Sequence, residues 1–182
     1  TEVMIETFEK NGADAIINWN GIFATAIYNF RTMELHLIRD RLGVKPLYLF
    51  EDDEVIIFFF FLKVILDWLP SFSINIDGLS QYMWYGNTTG TQSIIKGLIK
   101  VPPASHLIFD VKTGLLKQKN KFWDINKDIV RLKISEVDAV KQLKDKLDNA
   151  IKRQLVSDVP IGVLLSGGID SSCIVGFASK YI

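Results

Sequence analysis

The sequence contains little cysteine, little histidine and no excess charge of either sign. One cysteine among 182 residues forms no internal disulfide, which favours a reducing compartment such as the cytoplasm. We expect that residue, Cys173, to pack as a small buried hydrophobic side chain. The two histidines, His36 and His106, stand in strand-like segments without a cysteine or an acid at ligand spacing, which argues against a metal site built on them.

Charge and hydropathy argue against two classes of partner, nucleic acid and membrane. Lysine plus arginine and aspartate plus glutamate number 21 each, so no net field attracts either. The longest apolar run, residues 55–62, has eight residues, whereas a membrane-spanning helix needs about 20. The run predicts a buried strand that leads into a short helix at 63–69, ended by Pro70. The chain begins at Thr1 without a leader segment, and we expect it to be part of a longer protein.

A glycine- and serine-rich segment carries the strongest chemical signal. Residues 159–172 read V-P-I-G-V-L-L-S-G-G-I-D-S-S. The apolar stretch 161–165 predicts a strand covered on both faces in a parallel sheet, and 171–181 predicts a helix after it. Between them, Gly167 and Gly168 can take positive φ, so backbone amides and the hydroxyls of Ser166, Ser171 and Ser172 can surround an anion at a helix N-terminus.

This segment differs from the common phosphate loop, which requires a lysine after its last glycine. Here Gly168 is followed by Ile169 and then by Asp170. A carboxylate beside a polyphosphate is reasonable when a magnesium ion bridges the two, so Asp170 is a candidate magnesium contact. The competing interpretation is a strand-to-helix turn that binds nothing.

The first two thirds of the chain predict a mixture of short helices and strands. Apolar spacing predicts helices at 2–10 and 13–19, a strand at 22–30 buried on both faces, and a returning strand at 34–39. The strand pattern continues as a meander at 47–50 and 54–59. Further along, a capped helix is expected at 76–85, and a hairpin at 106–111 and 115–122.

A corner is predicted at R-D-R-L-G-V-K-P-L-Y, residues 39–48. Gly43 and Pro46 favour a tight turn, and we expect Asp40 to form a partly buried ion pair with the arginines on either side of it. The pattern is interpreted as scaffold rather than as catalytic machinery.

The clearest helix is predicted at 135–155. Ser135 and Asp138 form a capping pattern, and apolar residues recur at helical spacing along one face from Val137 to Leu155. This face is expected to pack beside the strand at 161–165. The charged stretch 126–133 before the helix lacks apolar periodicity, so we expect a domain boundary there.

The motifs together resemble the glutamine-hydrolysing asparagine synthetases. The S-G-G-x-D-S-S pattern is similar to the pyrophosphate loop of N-type ATP pyrophosphatases, and N-G-I-F-A-T-A-I-Y with the R-D-R corner resembles a class II glutamine amidotransferase domain. V-P-P-A-S-H at 101–106 and the F-W pair at 122–123 resemble two further family motifs, in the family's order.

The resemblance implies a fold of class α/β and α+β. Residues 1–125 would be the C-terminal half of an Ntn-type αββα sandwich. Residues 134–182 would begin a doubly wound parallel-sheet ATP pyrophosphatase domain with its first helix, strand, loop and helix. It also implies glutamine, aspartate and ATP as small-molecule substrates, Mg2+ as cofactor, and a homodimer as a possible assembly.

The resemblance also assigns the site residues. Ser166, Gly167, Gly168, Ser171 and Ser172 would hold the pyrophosphate portion of ATP, Asp170 would face magnesium, and Leu165 would lie against the adenosine. No catalytic residue is assigned, because the nucleophilic cysteine and the glutamine-binding segments of the family would lie before Thr1.

Departures from the family keep other functions open. Phe60 and Phe61 stand where the family has serine and glutamate, and Ala104 and Ser105 stand where it has one glycine. The alternatives are a β-lactam-forming amidoligase of the same architecture, another enzyme with the pyrophosphatase loop, and an inactive fragment or paralogue. A tRNA-modifying enzyme is disfavoured because the chain lacks a basic surface.

Overall fold

The computed structural model describes residues 1–52, 55–69, 71–127 and 129–182. The chain divides into two compact units, Thr1–Ile129 and Val130–Ile182. Each unit has its own pattern of burial. Among the described residues, no helix is long and apolar enough to cross a membrane.

The described residues of the first unit form two antiparallel sheets. The first sheet has the order β1-β2-β6-β7, formed by Ala24–Asn29, Glu34–Arg39, Ser105–Asp110 and Leu116–Lys121. The second has the order β4-β3-β5, formed by Ile56–Phe59, Tyr48–Glu51 and Leu98–Lys100. The strand predicted at 34–39 is therefore confirmed as β2. The hairpin predicted at 106–111 and 115–122 is confirmed as β6 and β7.

Helices accompany the two sheets. Helix α1, Glu2–Asn11, is followed by a 3₁₀ helix, Gly12–Asn18, as the apolar spacing predicts. Helix α2, Leu62–Trp68, follows β4 directly, and α3 spans Ile76–Tyr85. Pro70 and Glu54, which the sequence assigns to a helix end and a strand, lie outside the described residues.

Alternation along β2 explains how the first sheet is covered on both faces. Leu37 belongs to a core shared with Leu47 and Leu49 from the β3 segment, whereas the next residue, Ile38, packs with Phe8 and Ile16 from the helical segment. Neighbouring strand residues point to opposite faces of a sheet, so these two residues belong to different layers. The outer face of the second sheet packs against α2 through Ile65. The first unit is thus layered as helix, sheet, sheet and helix.

Three predictions for the strands of this unit are wrong. The segment at 22–30 is not buried on both faces, because β1 is an edge strand with half-buried and exposed residues, and the buried strands are β2 and β6. Strands β3 and β4 do not continue the meander of the first sheet, since they form the second sheet with β5. β4 is only half-buried.

The corner at Asp40 is held by a different interaction from the one the sequence predicts. The Asp40 carboxylate is buried and accepts hydrogen bonds from the backbone amides of Leu42, Val44 and Lys45 at 3.1, 3.0 and 2.9 Å. The arginines on either side donate instead to backbone carbonyls, with Arg39 bonded to Lys45 O at 2.9 Å and Arg41 to Trp19 O at 2.6 Å. A carboxylate accepts several amides at once, so backbone groups replace the expected ion pair.

The second unit consists of two helices and the segment that joins them. Helix α4 spans Glu136–Gln154, and the Ser135 hydroxyl accepts a hydrogen bond from the Asp138 amide at 3.1 Å, as the capping pattern predicts. Helix α5 spans Ile169–Ala178 and starts two residues before the predicted position. Asp148 on α4 accepts hydrogen bonds from Lys180 and Tyr181 at 3.0 and 2.5 Å, which ties the two helices together.

The predicted strand at 161–165 is not formed. These residues carry no sheet pairing, and Leu164 is 94% exposed. A strand requires hydrogen-bonded neighbours, and the described part of the second unit contains no other strand to supply them. The apolar face of α4 is likewise exposed at Val137 and Leu143, so its expected packing beside that strand is absent as well.

Candidate anion-binding loop

The loop between residue 165 and helix α5 has the backbone shape that an anion site requires. Gly167 has φ +82°, in the region that favours glycine, whereas Gly168 has φ −77° and forms the N-cap of α5. A Cβ on Gly167 would meet no heavy atom within 4 Å. The conformation, rather than a lack of space, is what requires glycine at this position.

Two hydroxyl groups meet across the loop. The Ser171 hydroxyl donates to the Gly168 carbonyl at 3.1 Å, and the Ser166 and Ser171 oxygens lie 3.0 Å apart. Because the single Ser171 proton is directed to the carbonyl, Ser166 is the donor of the second bond. Both hydroxyls are positioned beside Gly168 and are able to exchange these contacts for bonds to an anion.

The amides of the first turn of α5 supply further donors. The Ser172 amide bonds to the Gly168 carbonyl at 3.0 Å, which is the first helical hydrogen bond. The amides of Ile169, Asp170 and Ser171 precede it, so they have no helical carbonyl to bond. No side chain caps this end of the helix. Three amides and two hydroxyls therefore lie together at the positive end of a helix dipole.

The loop is open to solvent. Residues 162–170 are exposed and Ser171 is half-buried, so nothing in the second unit walls the loop off and it does not continue as sheet. The donor set matches the acceptor oxygens of a phosphate chain, and the glycine pair leaves space for the backbone to approach it. The residues therefore fit a polyphosphate ligand.

Two of the predicted residues have surroundings that differ from the expectation. Cys173 is exposed rather than buried, because the second unit places no apolar layer over this side of α5. Leu165 is 60% exposed, so it presents an apolar surface at the start of the loop. Asp170 is exposed in the first turn of the helix, beside the hydroxyls.

The first unit contains a cavity with a volume of about 740 Å³. It is lined by Leu35, Ile56, Phe109 and the turn between β6 and β7. None of the predicted loop residues lines it.

Sequence reasoning missed a pair of buried histidines. His36 Nδ1 and His106 Nε2 lie 2.9 Å apart on adjacent strands of the first sheet. The sequence places each histidine in a strand but does not give the register that brings them together. In that register His36 pairs with Ile108 and Ile38 pairs with His106, so the two histidines are diagonal neighbours across the two strands.

Comparison with known protein families matches two successive parts of the chain to two different families. The profile of a family described as glutamine amidotransferase domain matches residues 1–123. A second profile, described as asparagine synthase, matches residues 142–182, which include the whole loop.

Several curated proteins align with the whole chain. A putative glutamine-hydrolysing asparagine synthetase 2 of Methanocaldococcus jannaschii is 33% identical over 100% of this chain and 35% of its own length. The glutamine-hydrolysing asparagine synthetase 3 of Bacillus subtilis is 35% identical over 100% of this chain and 29% of its own length. The amidase chry2 of Gibberella zeae is 27% identical over 100% of this chain and 26% of its own length. The chain thus spans about a third of the length of the first two relatives.

Proposed function

Because the chain belongs to the glutamine-hydrolysing asparagine synthetase family, with its glutamine amidotransferase domain matched over residues 1–123, we propose that it serves an ATP-dependent amidation of aspartate. Residues 1–125 would be the later part of the amidotransferase domain, and residues 134–182 would begin the ATP pyrophosphatase domain. The observation that carries the proposal is the exposed loop with three helix N-terminal amides, two facing hydroxyls and Gly167 at φ +82°.

The loop would act by holding the diphosphate half of ATP. A carboxylate is a poor electrophile, so its oxygen must first become part of a good leaving group. The aspartate side-chain oxygen attacks the α-phosphorus of ATP, the bond to the bridging oxygen breaks, and pyrophosphate leaves as an acyl-AMP forms. Amides and hydroxyls at the loop would stabilise the negative charge that develops on the departing pyrophosphate.

Ammonia would then complete the reaction. It attacks the acyl carbon, AMP leaves with the bonding electrons, and loss of a proton from nitrogen gives the amide of asparagine. The ammonia would come from glutamine hydrolysed by the amidotransferase domain. None of the described residues is assigned to that hydrolysis.

Each loop residue has a stated part in this proposal. Ser166, Ser171 and Ser172 would donate hydroxyl hydrogen bonds to the phosphate chain. Gly167 and Gly168 would let the backbone and the free amides of the first turn approach it. Leu165 would offer its exposed apolar side chain to the adenosine. Asp170 would hold a magnesium ion, which supplies charge neutralisation when it is bound.

The test is exchange of labelled pyrophosphate into ATP by purified protein that carries this chain. We expect exchange that depends on aspartate, because pyrophosphate re-enters ATP only when an acyl-AMP forms. The variant Gly167→Val should lower the exchange by at least tenfold, since valine opposes the φ of +82°. The matched control is Gly176→Ala on α5, where an added Cβ meets no atom within 4 Å and helical φ is kept.

Other outcomes identify the remaining alternatives. Exchange that does not require aspartate would point to a different acceptor, as for a β-lactam-forming amidoligase or another enzyme with this loop. Absence of exchange in the wild-type protein would support an inactive paralogue. The phenylalanines at 60 and 61, in place of the family's serine and glutamate, favour that last reading.

A further inference from the structure

The two histidines of the chain form a buried pair that the amidation chemistry does not use. His36 and His106 are 6% and 2% exposed, and their rings stack at 5.2 Å with an interplanar angle of 24°. The bond between Nδ1 of His36 and Nε2 of His106 is 2.9 Å long. One proton shared between these nitrogens satisfies both of them.

The pair lies on the sheet face that carries the N-terminal helical layer, which is α1 with the 3₁₀ helix. Phe8 of α1 meets the His36 ring edge-on at 5.0 Å, and Phe8 also packs with Ile16 and Ile38. Trp19 donates a hydrogen bond to the Thr7 hydroxyl at 2.9 Å, so the two helical segments are joined to each other. The N-terminal helical layer therefore covers the imidazoles, and mainly apolar contacts hold this layer on the sheet.

Few charged groups face the pair. The Glu34 carboxylate lies 3.8 Å from His36 Nε2, and that nitrogen has no hydrogen-bond partner among the described residues. Lys117 of β7 pairs with Glu34 at 2.6 Å. Opposite His106, β7 presents the neutral Asn120. The charged side chains of α1 and of the 3₁₀ helix are exposed: Glu2, Glu6, Glu9, Lys10 and Asp14.

Protonation of this pair has an asymmetric cost. A first extra proton, on Nε2 of His36, has the smaller cost, because it places a charge near Glu34 while Nδ1 still donates to His106. A second proton, on His106, removes the acceptor of the central bond and brings two positive rings into contact. Burial, with the charge of His36 as a smaller cause, lowers the pKa of His106 to about 4. Burial also lowers the pKa of His36, although Glu34 opposes this.

We propose that the His36–His106 pair is an acid-sensitive latch that holds the N-terminal helical layer on the first sheet. At neutral pH the shared proton keeps the pair closed beneath Phe8. Acidification charges the second imidazole, and the layer opens because only water can then solvate both rings. The ligand that the histidine pair binds in this proposal is the proton.

The sign of the effect follows from the two states. When the layer opens, the histidines regain a pKa near 6.5, so the open state binds more protons than the closed state between about pH 6.5 and pH 4. Stability of the closed layer is therefore complete above about pH 6.5 and falls as the pH is lowered through this window. The pKa of His106 is about 4 in the closed state and near 6.5 in the open state. This difference corresponds to a change of at most roughly 300-fold in the equilibrium constant between the closed and the open layer.

The experiment is amide hydrogen exchange of the 182-residue chain, measured from pH 7 to pH 4 and corrected for intrinsic exchange rates. We expect the protection of amides in α1 and the 3₁₀ helix to fall on the order of 100-fold, while amides of β2 and β6 keep most of their protection. In the variant His106→Gln, which keeps a polar side chain but does not titrate, the fall should be less than tenfold.

The variant Glu34→Gln separates histidine from carboxylate titration. It should leave the loss of protection between pH 6.5 and pH 4.5 in place or enlarge it, because the carboxylate favours the charged His36. The same loss in His106→Gln as in the wild type would show that protonation of His106 does not open the layer and would overturn the proposal.

A second measurement applies even where the variants fold poorly. Because the chain contains two histidines, NMR titration of the wild-type imidazoles resolves both. A midpoint for His106 near 4 supports the latch, and a midpoint near 6.5 contradicts it.

Discussion

The two units of the chain differ sharply in how their apolar residues are used. Among its described residues, the first unit holds three buried apolar clusters, which include Phe109, Ile16 and Ile65 respectively. In the described part of the second unit, only Ala178 is buried. Both units nevertheless contain regular helices where their sequences indicate them, although the cap predicted for the helix at 76–85 is not formed. In both units, neighbouring residues therefore determine the local structure. Apolar residues become buried only in the first unit, where sheets and helices pack together.

The candidate loop belongs to the unit that has almost no core. Its shape depends on Gly167, on the Gly168 N-cap and on bonds between neighbouring serines, all within six residues. A loop of this kind is able to keep its conformation without long-range contacts. The first unit, by contrast, depends on pairings between distant residues such as His36 and His106.

The largest expected effect is the loss of stability when a core side chain of the first unit is truncated, compared with a similar truncation in the second unit. The change Phe109→Ala should lower the free energy of unfolding of the first unit by about 4 kcal/mol, because Phe109 is fully buried between the sheets. The change Leu147→Ala, at a 38% exposed position of α4, should cost about 1 kcal/mol or less.

Urea unfolding distinguishes the two changes. All four tryptophans lie in the first unit, at 19, 68, 84 and 123, so fluorescence reports on that unit alone. Leu147→Ala should leave the fluorescence midpoint unchanged. An equal shift for both variants would mean that the units unfold as one and would remove the contrast.

A smaller effect is expected at the corner after β2. The change Asp40→Ala should cost about 3 kcal/mol, because three backbone amides lose a buried carboxylate acceptor. The matched change Asp110→Ala removes the acceptor of two amides at the more open β6–β7 turn, at 2.9 and 3.2 Å, and should cost about 1 kcal/mol. Fluorescence-detected urea unfolding measures both. Similar losses of unfolding free energy for the two variants would show that burial of Asp40 does not strengthen the stabilising effect of its hydrogen bonds.

The smallest effect tests local structure in the second unit. The change Ser135→Ala removes the N-cap bond to the Asp138 amide and should destabilise α4 by about 1 kcal/mol. Far-ultraviolet circular dichroism should show earlier loss of helix on heating, with the tryptophan fluorescence transition unaltered. Ser179→Ala, after the end of α5, is the control. If neither signal changes with Ser135→Ala, the cap does not stabilise the helix.

Much of the secondary structure is predictable from the sequence because its signals are short-range. The Ser135 cap, the turn at Gly114 and the strand at 34–39 are all specified by residues a few positions apart. The predicted strand at 161–165 is not formed, because a run of apolar residues does not create the neighbour that a strand must pair with.

The interactions at Asp40 and at the histidine pair show the same limit. An aspartate between two arginines indicates an ion pair, yet the turn places amides around the carboxylate and sends the arginines to carbonyls. His36 and His106 are 70 residues apart in sequence, and only the register of β2 with β6 brings them together. Residue identity alone determines neither arrangement.

The most direct test of the proposed loop is titration of the isotope-labelled chain with magnesium pyrophosphate, followed by amide NMR. We predict chemical-shift changes concentrated at residues 166–172, and their loss in Gly167→Val but not in Gly176→Ala. Shift changes that spread over the lysines of the first unit, or that survive Gly167→Val undiminished, would contradict the assignment of this loop as the pyrophosphate site.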